Sequence, residues 1–291
     1  MDDYGASVLA ARVRGKTKRI LMNAPLVNQW SQYRYLAQLG RHAGNLPWLG
    51  RDSFDLLAEV REHGVAVRNA TTMIPPGVLE VADRFLDELR VSTEQDCTVS
   101  IPQDHLAAHP AVYKWGLNDD NLDLAECYIG LPVHYLGAGV KRERADGAAA
   151  YARQWHLDVE DRRLLKIIVY LSDVNDGCGP FEYVNRERSA QAARTLRYAS
   201  GYIADSAMAR VVPAPECIQV TGPRLTAIFV DTTRVFHRAK PPTAVDRYSM
   251  TFTYSSTTPY QTFPEWMLSQ ASLTALRADL MPRQRRAAMA E

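Results

Sequence analysis

Two segments of the chain carry side chains that bind transition metals. In the first, RQWHLDVEDRR (153–163), one residue separates His156 from Asp158, and the apolar run LLKIIVYL follows. In an extended backbone, residues i and i+2 project from the same face, whereas in a helix they diverge by about 200°. In the second, TAIFVDTTRVFHRAK, His237 follows a predicted strand and a short loop. We predict that the three side chains reach one point.

Two imidazoles and one carboxylate on one face of a metal leave three coordination positions open. Non-haem iron(II) oxygenases use this arrangement to hold a co-substrate and dioxygen. A His-x-Asp pair by itself is common by chance, so a metal site needs support from elsewhere in the sequence.

The strand predicted at RYSMTFTYSS (247–256) supplies such support. Its alternation gives one face four polar side chains: Arg247, Ser249, Thr251 and Thr253. A guanidinium grips a carboxylate through two hydrogen bonds, and a hydroxyl two residues on can add a third. This face is typical of a barrel interior around a ligand. The alternative is a surface arginine that pairs with Asp246 or Glu182.

Composition and charge limit the classes of protein to which this chain can belong. Lys and Arg number 34 and Asp and Glu 33, so the charge gives no signal for nucleic acid. No apolar stretch approaches the roughly 18 residues of a membrane span, and the first residues lack the apolar core of a secretory signal. The scattered cysteines contain no Cys-x-x-Cys and suit a reducing compartment. We expect a cytoplasmic protein with a small-molecule partner; its oligomeric state is not indicated.

The spacing of apolar residues predicts a helical front and a strand-rich back. Helices are expected at about 26–41 and 52–63, ended by Gly64, then a short strand at VAVRNA and a helix at PPGVLEVADRFLDELR. From Glu126 onward, short runs of β-branched and aromatic residues imply a sandwich or barrel. A last helix, PEWMLSQASLTALRADLM, precedes the basic tail PRQRR. We expect one domain over 1–291, with a helical front (1–125), a β core (126–260) and a helical end (261–291).

Most of the chain resembles the phytanoyl-CoA dioxygenase-like family of iron(II)- and 2-oxoglutarate-dependent oxygenases. The segment EHGVAVRNATTMIPPGVLEVADRFLDEL is similar to the family's opening strand and helix. WHLDVEDRRLLKIIVYLSDVNDGCGPFEYV resembles its first metal motif, the following strand and a Gly-Pro turn. FVDTTRVFHRA through DRYSMTFTY resembles its closing motifs.

The resemblance implies an α+β fold with a mainly β core, a double-stranded β-helix (jelly roll, cupin-like), flanked by N-terminal helices and a C-terminal helix. It implies His156, Asp158 and His237 as iron(II) ligands. It also implies that Arg247, with Ser249, holds the distal carboxylate of 2-oxoglutarate. Lys166 shares strand parity with Ile168 and Tyr170 and is a further candidate to face this co-substrate; a solvated lysine is the alternative.

The implied activity is that of a dioxygenase that consumes 2-oxoglutarate and dioxygen, releases succinate and carbon dioxide, and hydroxylates an unactivated C–H bond. Related halogenases lack the carboxylate ligand, so Asp158 favours oxidation without halide. Desaturation, ring closure and epimerisation remain open.

One segment departs from the family pattern and bears on the substrate. After Gly179-Pro180 many members read Pro-Gly-Ser-His, whereas this chain reads VNRERSA. Arg188 in this segment, and Arg153 before the first metal motif, are candidate substrate-binding residues. They favour a small polar substrate, sugar-like or carboxylated; a solvated rim is the alternative.

Two other interpretations compete with this one. His105 and His109 lie four residues apart, the spacing of a zinc pair on a helix, but Leu106 stands where a zinc protease has glutamate. A cupin-like module that binds a metal or sugar without redox chemistry is the second alternative. Arg247 argues against it, because such a module needs no carboxylate anchor there.

Overall fold

The computed structural model describes residue 17 and residues 25–289. Six of the α-helices between residues 25 and 289 precede residue 130, and the other four follow residue 185. The helices are α1 (Pro25–His42), α2 (Arg51–His63), α3 (Pro76–Val91), α4 (Gln103–Ala108), α5 (Ala111–Trp115), α6 (Asp119–Ile129), α7 (Arg186–Thr195), α8 (Asp205–Met208), α9 (Gln270–Leu276) and α10 (Pro282–Met289).

The strands of the described residues form two antiparallel sheets. They are β1 (Val65–Asn69), β2 (Thr98–Ser100), β3 (Val133–Glu143), β4 (Leu165–Tyr170), β5 (Phe181–Val184), β6 (Cys217–Val220), β7 (Thr226–Val230), β8 (His237–Ala239) and β9 (Arg247–Ser256). The larger sheet has the order β1-β7-β4-β9-β3-β2 and the smaller one β6-β5-β8. Strands distant in sequence are therefore neighbours, and β4 and β9 lie at the centre of the larger sheet.

The outer face of the larger sheet is apolar and packs against helices. Strand β9 contributes four side chains to this core: Tyr248, Met250, Phe252 and Tyr254. The ring of Trp115, at the end of α5, meets Phe252 edge-on with centroids 4.7 Å apart. The hydroxyl of Tyr254 donates a hydrogen bond of 2.7 Å to the carbonyl of Gly116. Burial of these side chains stabilises the fold, because apolar surface removed from water contributes about 25 cal/mol per Å².

The inner face of the larger sheet lies against the smaller sheet. A second apolar cluster joins the two sheets: Val65, Tyr170, Val174, Cys178, Phe181, Val220, Ile228, Val230 and Val235. The polar face predicted for β9 points to this side. Ser249 pairs across the ladder with Tyr170 of β4 and with Lys141 of β3. The space between the sheets is therefore apolar at β7 and polar at β9.

Most of the predicted elements are confirmed. The helices expected at 26–41 and 52–63 correspond to α1 and α2. Gly64 ends α2 in the left-handed region (φ 87°) and donates its N–H to the carbonyl of Val60. The predicted strand at VAVRNA is β1. The strands β1 and β2 lie within 1–125, and the single-domain interpretation stays a prediction. No helix in the described part is long and apolar enough to cross a membrane.

The prediction of one continuous C-terminal helix is wrong. Pro264–Trp266 and Arg277–Asp279 are 3-10 turns on either side of α9, and the expected basic tail lies in α10. Ser269 explains the start of α9, because its side chain accepts a hydrogen bond from the N–H of Ser272. Pro282 stands at the first position of α10, where its missing N–H costs nothing.

Gly179 is expected to be essential for the turn before β5. It has φ +62°, and a Cβ there would collide with backbone atoms of Lys240 and Pro242. Gly179→Ala should lower the free energy of unfolding by about 2–5 kcal/mol, from the left-handed backbone and the collision together. Gly147→Ala is the control, since Gly147 has φ +67° with no atom within 4 Å of the added Cβ. Urea unfolding of both variants checks this; equal losses would contradict it.

Candidate metal centre

The backbone brings the two predicted metal-binding segments together. His156 and His237 form an isolated antiparallel bridge, in which each N–H donates to the carbonyl of the other residue at 3.1 Å. The N–H of Asp158 donates to the carbonyl of Thr232 at 2.9 Å. These bonds fix the segment before β4 beside the start of β8. The three side chains predicted to meet do lie together.

The donor atoms of these side chains face one another. The Nε2 atoms of His156 and His237 lie 3.5 Å and 3.9 Å from Oδ1 of Asp158. All three donors lie within 4.8 Å of one another. The Nδ1 atoms point away, to the carbonyls of Gln154 at 2.8 Å and Val235 at 3.1 Å. Because a carbonyl can only accept, each Nδ1 carries the hydrogen, and each Nε2 presents its lone pair as a metal ligand requires.

The protonation states also suit a metal. Burial lowers the pKa of His237 to about 3, with His156 adding to this effect and Asp158 opposing it. Burial likewise lowers the pKa of His156. Burial alone would raise the pKa of Asp158, but the charge of Lys166, followed by the two histidines, brings it below its usual range. The imidazoles are therefore neutral and the carboxylate ionised at neutral pH, which are the forms that bind metals.

Lys166 contacts the carboxylate of this centre directly. Its Nζ lies 2.5 Å from Oδ2 of Asp158 and 3.9 Å from Oε1 of Glu160. The Glu160 side chain is buried, and burial followed by the charge of Asp158 raises its pKa to about 7. The predicted position of Lys166 facing the centre is therefore observed, whereas its role toward a co-substrate stays a prediction.

Arg247 lies in the interior, so the alternative of a surface arginine is wrong. Its side chain is buried, and its Nη1 atom has no hydrogen-bond partner among the described residues. Glu182 is taken by Arg238, and Asp246 lies 3.8 Å from Arg142. An unpartnered buried guanidinium nitrogen fits a ligand that brings an acceptor oxygen. Ser249, also buried, is two residues further along the same face of β9.

The burial of Arg153 argues against its predicted substrate-binding role and against the alternative of a solvated rim. Only 1% of its surface is exposed, and its guanidinium binds Glu143 at 2.9 Å and Asp146 at 2.5 Å. These two carboxylates neutralise it, so it cannot attract a substrate from solution. Arg188 is partly exposed and pairs with Glu216 at 2.7 Å. Its role toward a substrate stays a prediction.

The histidine pair of α4 does not gain a third ligand. The His105 and His109 rings lie 5.3 Å apart, and both meet the ring of Phe85 edge-on. The carboxylate of Glu88 lies 3.5 Å from Nε2 of His105. Within residues 25–289, His156, Asp158 and His237 form the one set of three side chains whose donors converge.

Sequence reasoning missed the aromatic residue nearest the centre. The ring of Tyr202 lies 5.2 Å from that of His156, and 53% of the residue is exposed. Its loop is fixed by a two-bond bridge between Trp155 and Ile203. No motif marks this residue in the sequence; only the pairing of its neighbour with Trp155 places it. Tyr202 is therefore an exposed aromatic side chain beside the candidate ligand His156.

Comparisons with known proteins support the fold. No family model matches the sequence, and no curated protein matches it either. Solved structures of HygX from Streptomyces hygroscopicus, with iron bound and with nickel and 2-oxoglutarate bound, are 22% identical and have TM-scores of 0.50 and 0.51. Each match covers 72% of this chain and 88% of HygX.

A structure of EctD from S. alaskensis with 2-oxoglutarate and 5-hydroxyectoine is 14% identical, with a TM-score of 0.52. It covers 72% of this chain and 79% of EctD. At these identities the similarity establishes a shared fold of helices and antiparallel sheets.

Glu143 should be important for stability in a pH-dependent way. Burial raises its pKa, but Lys141, Arg247 and the Thr98 hydroxyl, with Arg153, bring it to about 2. Since the folded pKa lies below the ordinary 4.5, this contribution is complete above about pH 4.5 and is lost as the pH falls towards 2. Glu143→Gln should therefore cost about 3 kcal/mol at neutral pH, and the gap to wild type should narrow in acid.

Denaturant unfolding from neutral pH to pH 3 measures this gap. Asp146→Asn is the control, because the Asp146 side chain is 24% exposed and its loss should cost about 1 kcal/mol or less. A gap that stays constant with pH would contradict the ionisation as its cause.

Proposed function

We propose that the protein is an iron(II)- and 2-oxoglutarate-dependent dioxygenase that hydroxylates an unactivated C–H bond of a small polar molecule, such as a sugar-like compound or a natural-product intermediate. The observation that carries the proposal is the convergence of Nε2 of His156, Nε2 of His237 and Oδ1 of Asp158 on one point. Two imidazoles and one carboxylate are the donor set of non-haem iron(II) oxygenases.

The fold comparisons support this assignment. HygX has been solved with iron and with 2-oxoglutarate, and EctD with 2-oxoglutarate and 5-hydroxyectoine. We further propose that the two antiparallel sheets form a double-stranded β-helix within one domain over 1–291, and that the chain is a member of the phytanoyl-CoA dioxygenase-like family. Support for the family is the agreement of its motifs with the positions of His156, Asp158, His237 and Arg247.

His156, Asp158 and His237 would hold the iron. The carbonyls of Gln154 and Val235 fix the two imidazole rings in the orientation and tautomer that ligation needs. Iron(II) with 2-oxoglutarate and dioxygen supplies an oxidant for an unactivated C–H bond and leaves succinate and carbon dioxide. Asp158 would occupy the coordination position that a halide needs, and this favours hydroxylation over halogenation.

Arg247 would bind the distal carboxylate of 2-oxoglutarate, and Ser249 would donate a hydrogen bond to it. Two observations support this role: Nη1 of Arg247 has no hydrogen-bond partner within residues 25–289, and both residues are buried. A charge-assisted pair is strongest where water is excluded. The apolar cluster between the sheets excludes water on one side of the centre, with Phe181 stacked on His237 at 5.7 Å. The substrate would then enter beside Tyr202.

Removing any one of the metal ligands should abolish turnover. His156→Ala, Asp158→Ala and His237→Ala each leave an incomplete donor set, so succinate formation from 2-oxoglutarate with added iron(II) should fall to background. His105→Ala and His109→Ala are matched controls and should leave iron content and succinate formation unchanged. Normal activity in Asp158→Ala would refute the ligand set. Iron binding without succinate formation in the wild type, across a panel of sugars and carboxylic acids, would favour the non-redox cupin-like alternative.

Arg247→Ala should weaken 2-oxoglutarate binding while iron binding persists. Loss of a desolvated charge-assisted pair costs about 2–5 kcal/mol, which corresponds to a decrease in affinity of tens of fold or more. Titration of 2-oxoglutarate into the iron-loaded variant under nitrogen measures the change. Arg188→Ala is the control, since Arg188 pairs with Glu216 outside the centre. An unchanged affinity in Arg247→Ala would move the anchor to another residue.

A further inference from the structure

The two carboxylate oxygens of Asp158 have different neighbours: Lys166 contacts one, and the two histidines face the other. The Nζ of Lys166 lies 2.5 Å from Oδ2. The histidine Nε2 atoms instead face Oδ1, at 3.5 Å and 3.9 Å. One oxygen therefore faces the metal-binding side, and the other is held in a short charge-assisted bond.

Glu160 holds the Lys166 ammonium from a second direction. Its Oε1 lies 3.9 Å from Nζ, and its Oε2 accepts from the N–H of Val159 at 2.8 Å. The Glu160 carbonyl accepts from the N–H groups of Tyr260 and Gln261. Lys166 itself projects from the inner face of β4, a central strand of the larger sheet. Both the base of Lys166 and its charged end are thus fixed by the surrounding fold.

The number of oxygens that Asp158 contributes decides how many positions remain open on a metal. A carboxylate can bind a metal through one oxygen or through two. With two histidines, a one-oxygen carboxylate leaves three of six positions open, whereas a two-oxygen carboxylate leaves two. A 2-oxo acid bound through two atoms would then leave no position for dioxygen. A contact that occupies Oδ2 keeps the third position available.

We infer that Lys166 is a positioning residue that restricts Asp158 to coordination through Oδ1 and so keeps three metal positions open. The inference rests on the proposed metal site but gives Lys166 a role other than binding 2-oxoglutarate. It requires the ammonium to contact Oδ2, so a positive charge elsewhere in the site should not replace it.

Mn(II) alone is the probe, because it prefers six-fold coordination and its bound water can be counted by water-proton relaxation. The wild type should retain three exchanging water molecules on Mn(II), and Lys166→Met should retain two. Lys166→Arg, which keeps a cationic donor, should retain three. Circular dichroism during thermal unfolding verifies that each variant is folded.

Lys141→Met is the matched control. Lys141 lies on the same inner face, its charge acts on His156, and its Nζ pairs with Glu143 at 3.2 Å instead of Asp158. This variant should keep three water molecules. If Lys141→Met loses a water as Lys166→Met does, the effect is one of charge, and the inference is wrong.

The remaining outcomes separate the inference from the proposed function. If wild type binds Mn(II) with three waters and Lys166→Met does the same, the positioning role is wrong while the metal site stands. If Lys166→Met no longer binds Mn(II), Lys166 is needed to form the site, and the restricted coordination is also refuted. If wild type does not bind Mn(II), the metal site fails and the inference fails with it.

Discussion

The centre depends on the backbone bridge between His156 and His237. Its two N–H to carbonyl bonds join a segment outside the sheets to the first residue of β8. Together with the bond from the N–H of Asp158 to the carbonyl of Thr232, it brings ligands that are distant in sequence to one point. The same geometry turns each Nδ1 toward a carbonyl two residues earlier in sequence, at Gln154 and Val235. The backbone that brings the rings together therefore also fixes which ring nitrogen is free, so position and ligand chemistry have one cause.

Charged side chains form one group beside the candidate metal ligands and another beside β9. Near the metal side, Lys166 lies between the carboxylates of Asp158 and Glu160. Near β9, the carboxylate of Glu143 pairs with Lys141 and Arg153, and Glu143 lies opposite Arg247 in the ladder. In the part of the chain that the structure describes, Nη1 of Arg247 is left without a hydrogen-bond partner. A buried donor without an acceptor attracts an anionic ligand. This supports the proposal that a dicarboxylic co-substrate binds at the Arg247 end of the site.

Local patterns predicted local structure well and long-range placement less well. The alternation in β9 predicted which face carries Arg247, because strand geometry alone decides it. The meeting of His156 with His237 followed from their residue types and the resemblance to a family. The burial of Arg153 could not be predicted, because Glu143 and Asp146 are folded around it by β3 and the loop that follows. Tyr202 was missed because only the long-range bridge between Trp155 and Ile203 brings it beside His156.

The segment that follows β5 is tied to the candidate ligand His237. In the stretch VNRERSA, Asn185 caps α7, and Ser189 is buried at its second turn. The Ser189 hydroxyl donates to the carbonyl of Val184 and accepts from the N–H of Phe236, both at 2.9 Å. Phe236 precedes His237 directly, so α7 fixes the backbone that leads into β8. The segment thus supports the strand that carries His237.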